Sequence, residues 1–315
     1  MTRRARPYTD IDDKILALYF RGMPDADIVA FVSHAYAGHV TPDTISRVLN
    51  ADAEEVSAWQ GRRLAPMYPV VCFDALPVQI RIAGAICHRS IHWALATLPD
   101  GRRDMIGLWT EPAGASFWID ALSDLKARGC HDMLMTASDH FEGIHAAAAA
   151  VFPATTAETR VIHLIRCSLK GVRADEQATL ARALRRIYGA INAEAASAAL
   201  DVFEQSVQGA KLPHISAGWR DAWPQLTGFF ALPPEVRQVI YGSDALERVH
   251  ADLRRIVNSR ARGYFQNHDA AMKLIWLAAL HTASKWARSD VRWMAARHQF
   301  EQLYGERFTN PVRRC

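Results

Sequence analysis

The segment from Pro69 to Arg81 constrains the fold more than any other part of the chain. Its residues are mostly apolar and many are β-branched, as in a buried strand, yet the segment carries one carboxylate, Asp74. An ionised carboxylate in such a strand is costly unless it is paired, hydrogen-bonded or bound to metal. The segment therefore predicts a buried strand whose aspartate has a partner.

Turn signals and apolar stretches after this strand predict a mixed sheet. Gly84 and the Pro99-Asp100-Gly101 sequence suit tight turns, which would join three consecutive strands into hairpins. The predicted strands cover residues 69–81, 85–96, 105–109, 133–136 and 159–162, and the predicted helices cover residues 116–128 and 146–150 and begin again at His163. This βββαβαβα order predicts an α/β fold of the α+β kind, with a mixed sheet covered by helices.

Residues 8–60 show only helical patterns. Thr41 suits a helix N-cap and Pro42 the first helical position, so a second helix begins here after a short turn. Helix, turn and helix form the pattern of a helix-turn-helix, whose second helix lies in the major groove of DNA. On that helix we expect Thr44, Ser46 and Arg47 to contact DNA. Two packed helices with a capped turn also occur in proteins that bind no DNA.

The chain from residue 174 onward has helical patterns and almost no strand signal. Trp219, Trp223, Phe229 and Phe230 have spacings that favour packing in a helical core over a platform for stacked bases. We expect four regions: a helix-turn-helix region over residues 1–66, the first part of the sheet core over 67–172, a helical insertion over 173–240, and helices that complete the core over 241–315.

Charge and cysteine content narrow the class of protein. The net charge of +4 permits nucleic-acid binding without requiring it. Most basic residues are arginine, which binds phosphate through a planar fork, although GC-rich codon usage explains the same bias. The five cysteines form no Cys-x-x-Cys pair, which argues against a zinc ribbon or a disulfide framework. With no signal peptide and no apolar run of membrane-spanning length, we expect a cytoplasmic protein with no membrane partner.

Two further carboxylates stand where they could join Asp74. Asp139 follows a second apolar strand, and Glu247 lies in the first turn of a predicted helix that starts at residues 243–244. Each has an ordinary alternative, because an aspartate at a strand end is often a cap and a first-turn glutamate serves the helix dipole. Carboxylates that converge from separate elements are also what a two-metal phosphoryl-transfer site requires.

Several motifs of the chain resemble those of the Mutator-type bacterial insertion-sequence transposases, which are Asp-Asp-Glu transposases. The similarity runs from about Asp12 to Arg297, and the motifs stand in the family's order. They are Tyr68-Pro69-Val70-Val71 with Asp74-Ala75-Leu76, Gly101-Arg102-Arg103 with Gly107-Leu108-Trp109, Phe117-Trp118, Val151-Phe152-Pro153, His163-Leu164-Ile165-Arg166 with Ser168-Leu169-Lys170, and Phe229-Phe230 with Pro233-Pro234-Glu235-Val236-Arg237.

The resemblance implies a ribonuclease H-like core with an all-helical insertion before the last acidic residue. It also implies that Asp74, Asp139 and Glu247 are the catalytic metal ligands for two Mg²⁺ ions, with Mn²⁺ as a substitute. The implied activity is DNA cleavage and strand transfer at insertion-sequence ends, by a protein associated with the bacterial nucleoid. The implied partners are double-stranded DNA, as terminal inverted repeats and target, and a second copy of the chain in a synaptic dimer.

Departures from the family pattern keep two other functions open. His163 is retained, but the cysteine of the family's Cys-x-x-His is replaced by Arg160, and His140 replaces the usual glycine after Asp139. The residues around Glu247 also differ, and the chain starts near the helix-turn-helix without the longer N-terminal segment of most relatives. A catalytically silent, shortened relic that acts as a DNA-binding repressor is one alternative. A nuclease without strand transfer is the other.

Basic residues near these motifs are candidates for DNA contact. His163 could bind DNA, steady a metal ligand or serve as a structural histidine, and its pairing with Cys167 lacks the second pair that zinc needs. Solvated helix faces explain the arginines that follow Glu247 nearly as well as phosphate contacts do. The candidates are His163, Arg166, Arg254, Arg255, Arg260 and Arg262.

Overall fold

A five-stranded mixed sheet lies at the centre of the molecule. The computed structural model describes residues 10–19, 23–36, 40–49, 53–110, 116–138, 143–158, 160–241, 244–258, 263–283 and 291–311. The strands are β1 (Met67–Ile82), β2 (Ala85–Thr97), β3 (Arg103–Thr110), β4 (Asp132–Ser138) and β5 (Thr156–Glu158), in the spatial order β3-β2-β1-β4-β5. The pairs β1–β2 and β2–β3 are antiparallel, whereas β1–β4 and β4–β5 are parallel. The predicted mixed sheet is confirmed.

Two helices cover one face of the sheet. They are α5 (Phe117–Ala127) and α6 (Ile144–Val151). Because side chains alternate along a strand, Val71 and Phe73 of β1 point to this face. There they belong to a buried cluster that also contains Trp118 and Leu122 of α5. The Phe73 and Trp118 rings meet edge to face with centroids 5.7 Å apart.

Further helices pack on the opposite face of the sheet, the face to which Asp74 points. They are α7 (Arg160–Leu169), α12 (Pro234–Tyr241), α13 (Asp244–Asn258) and α14 (His268–Ala283). Cys72, Leu76 and Val78 of β1 are buried on this side, in one cluster with Val161 of α7 and with residues of α14. Asp74 has the same parity along β1 as Cys72 and Leu76, so its side chain faces α7 and α13.

Four short helices precede the sheet: α1 (Asp10–Tyr19), α2 (Asp25–Tyr36), α3 (Pro42–Leu49) and α4 (Ala53–Gln60). The N-terminus of α3 is capped as predicted, because the backbone N–H of Thr44 donates to Thr41 Oγ1 at 3.2 Å. The backbone N–H of Thr41 donates in return to Thr44 Oγ1 at 3.3 Å. The two predicted helices, α2 and α3, are therefore present, and α3 begins with the predicted cap; residues 37–39 between them lie outside the described residues.

Helices also fill the segment between α7 and α12, namely α8 (Ala174–Tyr188), α9 (Ala193–Glu204), α10 (Val207–Lys211) and α11 (Pro213–Ala231). Trp219 of α11 is fully buried, and its indole N–H donates to Ser168 Oγ at 3.1 Å. Phe229 is buried, and the Trp223 and Phe230 rings lie 5.6 Å apart. The aromatics of this segment thus form a core, as predicted.

The last described helices, α15 (Val291–Tyr304) and α16 (Glu306–Thr309), pack back onto the sheet core. Trp293 of α15 is buried, and its indole N–H donates to the carbonyl of Pro99 in the β2–β3 turn at 3.2 Å. In α16, Arg307 forms a bidentate ion pair with Asp132 at the start of β4, at 3.0 and 2.8 Å.

One predicted element is wrong. The strand expected over residues 159–162 lies earlier, at Thr156–Glu158, and Arg160 already begins helix α7. Val161 and Ile162 have the β-branched character of a strand but form the buried face of α7.

Among the residues that the structure describes, no helix is long and apolar enough to cross a membrane.

Candidate active site

Asp74 lies near the middle of β1, with Trp93 of β2 opposite it. Its side chain is only 2% exposed. On the other side of β1, the parallel pairing with β4 ends at Phe73 and Ser138. The carboxylate is therefore buried at the point where the parallel pairing of β1 with β4 ends, beneath α7 and α13.

Two side chains from different helices bind this carboxylate. Arg166 of α7 forms a bidentate pair, in which Nη1 donates to Oδ1 at 3.0 Å and Nη2 donates to Oδ2 at 2.9 Å. Nδ1 of His250, on α13, lies 2.9 Å from Oδ2. The backbone N–H of Ala75 donates to Oδ1 at 2.8 Å. Both oxygens of Asp74 are thus hydrogen-bonded, which compensates the burial of its charge.

These contacts determine the protonation state of Asp74. Burial alone raises the pKa of a carboxyl, but the hydrogen bond from His250 and the charge and hydrogen bonds of Arg166 outweigh it, so the pKa of Asp74 lies below its ordinary value. The carboxylate therefore carries no proton near neutral pH. It follows that Nδ1 of His250 carries the hydrogen of their shared bond and donates it.

The second predicted ligand, Asp139, lies outside the described residues. Its sequence neighbour Ser138 is the last residue of β4 and is paired with Phe73, the neighbour of Asp74. The chain therefore reaches Asp139 directly from a residue that lies beside the Asp74 segment.

The third predicted ligand, Glu247, lies on α13 as expected, although the structure does not describe its side chain. His250 stands three residues later on the same helix and touches Asp74. Within the described side chains, no group of three His, Cys, Asp or Glu residues could hold a metal ion, and neither Asp139 nor Glu247 is among those side chains.

A cavity of about 420 Å³ extends from His250 along α13. Its lining consists of His250, Ala251, Arg254, Arg255 and Asn258. The predicted DNA contacts Arg254 and Arg255 are both exposed, and Arg255 forms an ion pair of 3.3 Å with Asp252. The structure thus brings these two arginines into one concave surface with the histidine that binds Asp74.

The other predicted DNA contacts lie on α3 or outside the described residues. Ser46 is exposed on α3, whereas the Thr44 hydroxyl belongs to the helix cap. Arg47 is 60% exposed and lies 3.4 Å from the buried Asp12 of α1. The side chain of His163 and the whole of Arg260 and Arg262 lie outside what the structure describes.

Two roles at the site are not predicted by the sequence. The sequence suggests that Arg166 contacts DNA, whereas in the structure its guanidinium binds Asp74. His250 belongs to the segment around Glu247 that departs from the family pattern, and no role is predicted for it. The sequence separations of 92 and 176 residues from Asp74 explain why no local pattern signals either contact.

Comparisons with known proteins agree on one family. A family model described as "Transposase, Mutator family" matches residues 1–289. The transposase for insertion sequence element ISRM3 of Rhizobium meliloti (strain 1021) is 42% identical over 311 residues, which are 98% of this chain and 77% of that protein. A probable insertion-element transposase of Corynebacterium diphtheriae is 36% identical over 288 residues, which are 91% of this chain and 83% of that protein.

Among solved structures, the Drosophila P element transposase strand transfer complex aligns over 96% of this chain and 82% of that chain. Its sequence is 13% identical and the TM-score is 0.34. A score this low does not establish a shared fold.

Proposed function

Because the chain belongs to the Mutator family of transposases, we propose that it cleaves DNA at the ends of an insertion sequence and joins them to target DNA at a site built on Asp74. Asp139 and Glu247 complete this site. The mixed sheet, with its acidic residue on the central strand and helices on both faces, supports the ribonuclease H-like core that the family resemblance implies.

The observation that carries the proposal is the convergence of three elements at one buried carboxylate. Asp74 comes from β1, the end of β4 lies beside it, and α13 reaches it through His250. The two remaining acidic residues are attached to those same elements, one residue beyond Ser138 and three residues before His250. A fold that only needed a stable strand would not place a charged group at this junction, because burial of the charge is costly.

The donor set suits Mg²⁺ or Mn²⁺. Carboxylate oxygens are hard ligands, and both ions prefer such ligands over thiolates. Asp74, Asp139 and Glu247 would hold the ions. Two bound ions supply the activation of the attacking water or 3′-hydroxyl and the stabilisation of the leaving oxygen in phosphoryl transfer.

The protein's own residues orient the site and neutralise charge. Arg166 and His250 fix the direction of the Asp74 carboxylate through bonds to both of its oxygens. Arg254 and Arg255 line the cavity beside His250, where they are suited to contact phosphates of the bound strand. His163, Arg260 and Arg262 remain further candidates for DNA contact near the site.

Recognition of DNA away from the site is proposed for the α2–α3 pair. Ser46 and Arg47 are exposed on α3, and Thr44 stands at its capped start. These side chains suit contacts with phosphates or base edges in a major groove. Because strand transfer joins two element ends, we also propose that the chain acts as a homodimer.

The test is metal-dependent cleavage of a labelled duplex that carries the element's terminal repeat. Asp74→Asn, Asp139→Asn and Glu247→Gln keep the size of each side chain but remove its charge. We expect each variant to lose nicking and strand joining by at least about a thousandfold in Mg²⁺, while it still binds the duplex. Glu235→Gln, on α12, is the matched control and should cleave as the wild type does.

The outcomes separate the alternatives. Full activity of a triad variant would show that the assigned residues are not the catalytic ones. A wild-type protein that binds DNA but never nicks it in Mg²⁺ or Mn²⁺ would be a silent relic. Cleavage without any joined product would identify a nuclease that lacks strand transfer.

A further inference from the structure

The hairpin formed by β1 and β2 extends well beyond the rest of the sheet. β4 pairs with β1 only as far as Phe73, and β3 pairs with β2 only from Ile91 onward. Beyond these points β1 and β2 continue as a two-stranded ribbon, Pro77–Ser90, whose register is unbroken up to the turn. At about 3.3 Å per residue, its tip lies about 26 Å along β1 from Asp74.

One face of this ribbon is anchored to the molecule. Val78 and Ile80 are buried on the face that continues from Asp74. Phe265 lies beside them and exchanges two backbone hydrogen bonds of 2.8 Å with Gln79 and Arg81. The ribbon therefore has a fixed direction from the candidate active site, while its outer face and its tip meet solvent.

The charge of the ribbon is of one sign. No aspartate or glutamate occurs between Asp74 and Asp100, although the whole chain has nearly as many acidic as basic residues. Arg81, His88 and Arg89 are exposed along the ribbon. The Arg81 guanidinium lies 6.0 Å from the centre of the Tyr264 ring. Such a surface attracts a polyanion.

The tip of the ribbon is apolar and narrow. Ile82 is 39% exposed and Ile86 is 52% exposed. Between them, Ala83 and Gly84 form a two-residue turn with positive φ angles of 49° and 86°. Proteins that bind the minor groove of DNA insert apolar side chains such as isoleucine between base steps and hold the flanking phosphates with basic residues.

We propose that the Pro77–Ser90 ribbon is a DNA-binding arm of this protein. Arg81, Ile86 and His88 share the outer face of the ribbon and Ile82 and Arg89 the opposite face, so the tip holds DNA from both faces. The basic residues contact phosphates, and the two isoleucines enter the minor groove. The length of the ribbon places this contact within about eight base pairs of the phosphate at Asp74, at 3.4 Å per base pair. The inference rests on the proposed function, since it takes the DNA that is cut at Asp74 as the ligand.

The role of the basic residues is tested with the double variant Arg81→Ala/Arg89→Ala. Binding of the protein to a fluorescein-labelled duplex is followed by anisotropy over a series of salt concentrations. The slope of log affinity against log salt should fall by about one for each arginine that no longer neutralises a phosphate. Arg185→Ala/Arg186→Ala removes the same charge from the exposed face of α8 and should leave the slope unchanged.

The apolar tip is tested with Ile82→Ser/Ile86→Ser and with 2-aminopurine placed at successive positions of the duplex. The affinity for DNA should fall about tenfold while the salt slope stays unchanged, because the variant no longer buries the apolar surface of two isoleucines against DNA. The rise in 2-aminopurine fluorescence that reports an unstacked base should disappear. Val202→Ser/Val207→Ser replaces two exposed valines of the helical insertion and should bind as the wild type does.

Ribbon variants that melt like the wild type but bind DNA with its affinity, salt slope and fluorescence change would overturn the proposal. The proposal would also be overturned if light scattering showed that the ribbon variants change oligomeric state while their DNA binding is unaltered. The ribbon would then contact another copy of the protein. A wild type that uses the ribbon to bind DNA yet never cleaves it would contradict the catalytic proposal and leave the arm intact. Normal cleavage by the wild type, together with ribbon variants whose DNA binding is unchanged, would contradict the arm and leave the catalytic proposal intact.

Discussion

At the scale of single residues, the chemistry of Asp74 depends on its neighbours. The carboxylate is buried and both of its oxygens accept hydrogen bonds, two of them from one guanidinium. A divalent cation that binds Asp74 needs at least one of these oxygens. The proposed metal ion would therefore compete with Arg166 for the same atoms, and in its absence the guanidinium balances the charge of the carboxylate.

Replacement of Arg166 tests this competition. Among the described residues, Arg166→Ala leaves the buried carboxylate with His250 and a backbone N–H as partners, and we expect a loss of about 3 kcal/mol in the free energy of unfolding without metal. Saturating Mg²⁺ should raise the melting temperature of this variant more than that of the wild type, because the ion replaces the missing charge. Denaturant unfolding and thermal melts measure both effects.

Arg166→Lys is the control that keeps the charge without the planar guanidinium. Its stability should lie between those of the wild type and Arg166→Ala. If Arg166→Ala were as stable as the wild type, the pair would have no structural role. If Mg²⁺ raised both melting temperatures equally, the cation and the guanidinium would not share a site.

At the scale of elements, the β2–β3 turn is where the C-terminal helices attach to the sheet. Gly101 in this turn has a φ of +85°, and an added Cβ atom would lie 2.2 Å from the Trp293 ring of α15. The Trp293 indole also donates a hydrogen bond to the Pro99 carbonyl. The turn therefore needs a glycine for its conformation and also for the approach of the indole ring.

Gly101→Ala separates these two needs when it is compared with Gly171→Ala. Gly171 has a φ of +79° and open space around its Cα, so its replacement should cost only the backbone strain, about 1 kcal/mol. Gly101→Ala should cost about 1–3 kcal/mol more, because Trp293 must move. Denaturant unfolding of both variants measures the difference, and equal costs would show that the packing against α15 contributes nothing.

Much of this arrangement could be predicted from the sequence, since the strand pattern and turn residues are local signals. The apolar strand at Asp74, the hairpin turns and the order of strands and helices agree with the prediction. The strand over residues 159–162 does not, because a short run of β-branched residues fits a buried strand and the buried face of a helix equally well. Only packing against the sheet decides for the helix α7.

The residues that bind Asp74 could not be predicted from the sequence. The sequence predicts that this aspartate needs compensation, but not which residues provide it. Arg166 and His250 reach it from α7 and α13, and their positions depend on how both helices pack on the sheet. Family resemblance singles out Asp139 and Glu247, and their roles as metal ligands remain predictions.

At the scale of the whole molecule, the sheet connects the proposed DNA-binding surfaces with the candidate active site. The ribbon continues β1 beyond Asp74, and the cavity with Arg254 and Arg255 opens along α13, the helix whose His250 contacts Asp74. The α2–α3 pair belongs to the same buried cluster as that face of the sheet. If the proposals hold, one DNA segment bound along these surfaces would be positioned relative to Asp74 by the sheet and the helices packed on it.

The most direct test of the central claim is anomalous diffraction from Mn²⁺ in crystals of the protein bound to terminal-repeat DNA. We predict Mn²⁺ peaks about 3.5–4 Å apart, in contact with carboxylate oxygens of Asp74, Asp139 and Glu247, and a lengthened Arg166–Asp74 distance. Crystals of Asp74→Asn should lose at least one peak. An intact Arg166–Asp74 pair without Mn²⁺ at the carboxylate under saturating metal would contradict the account.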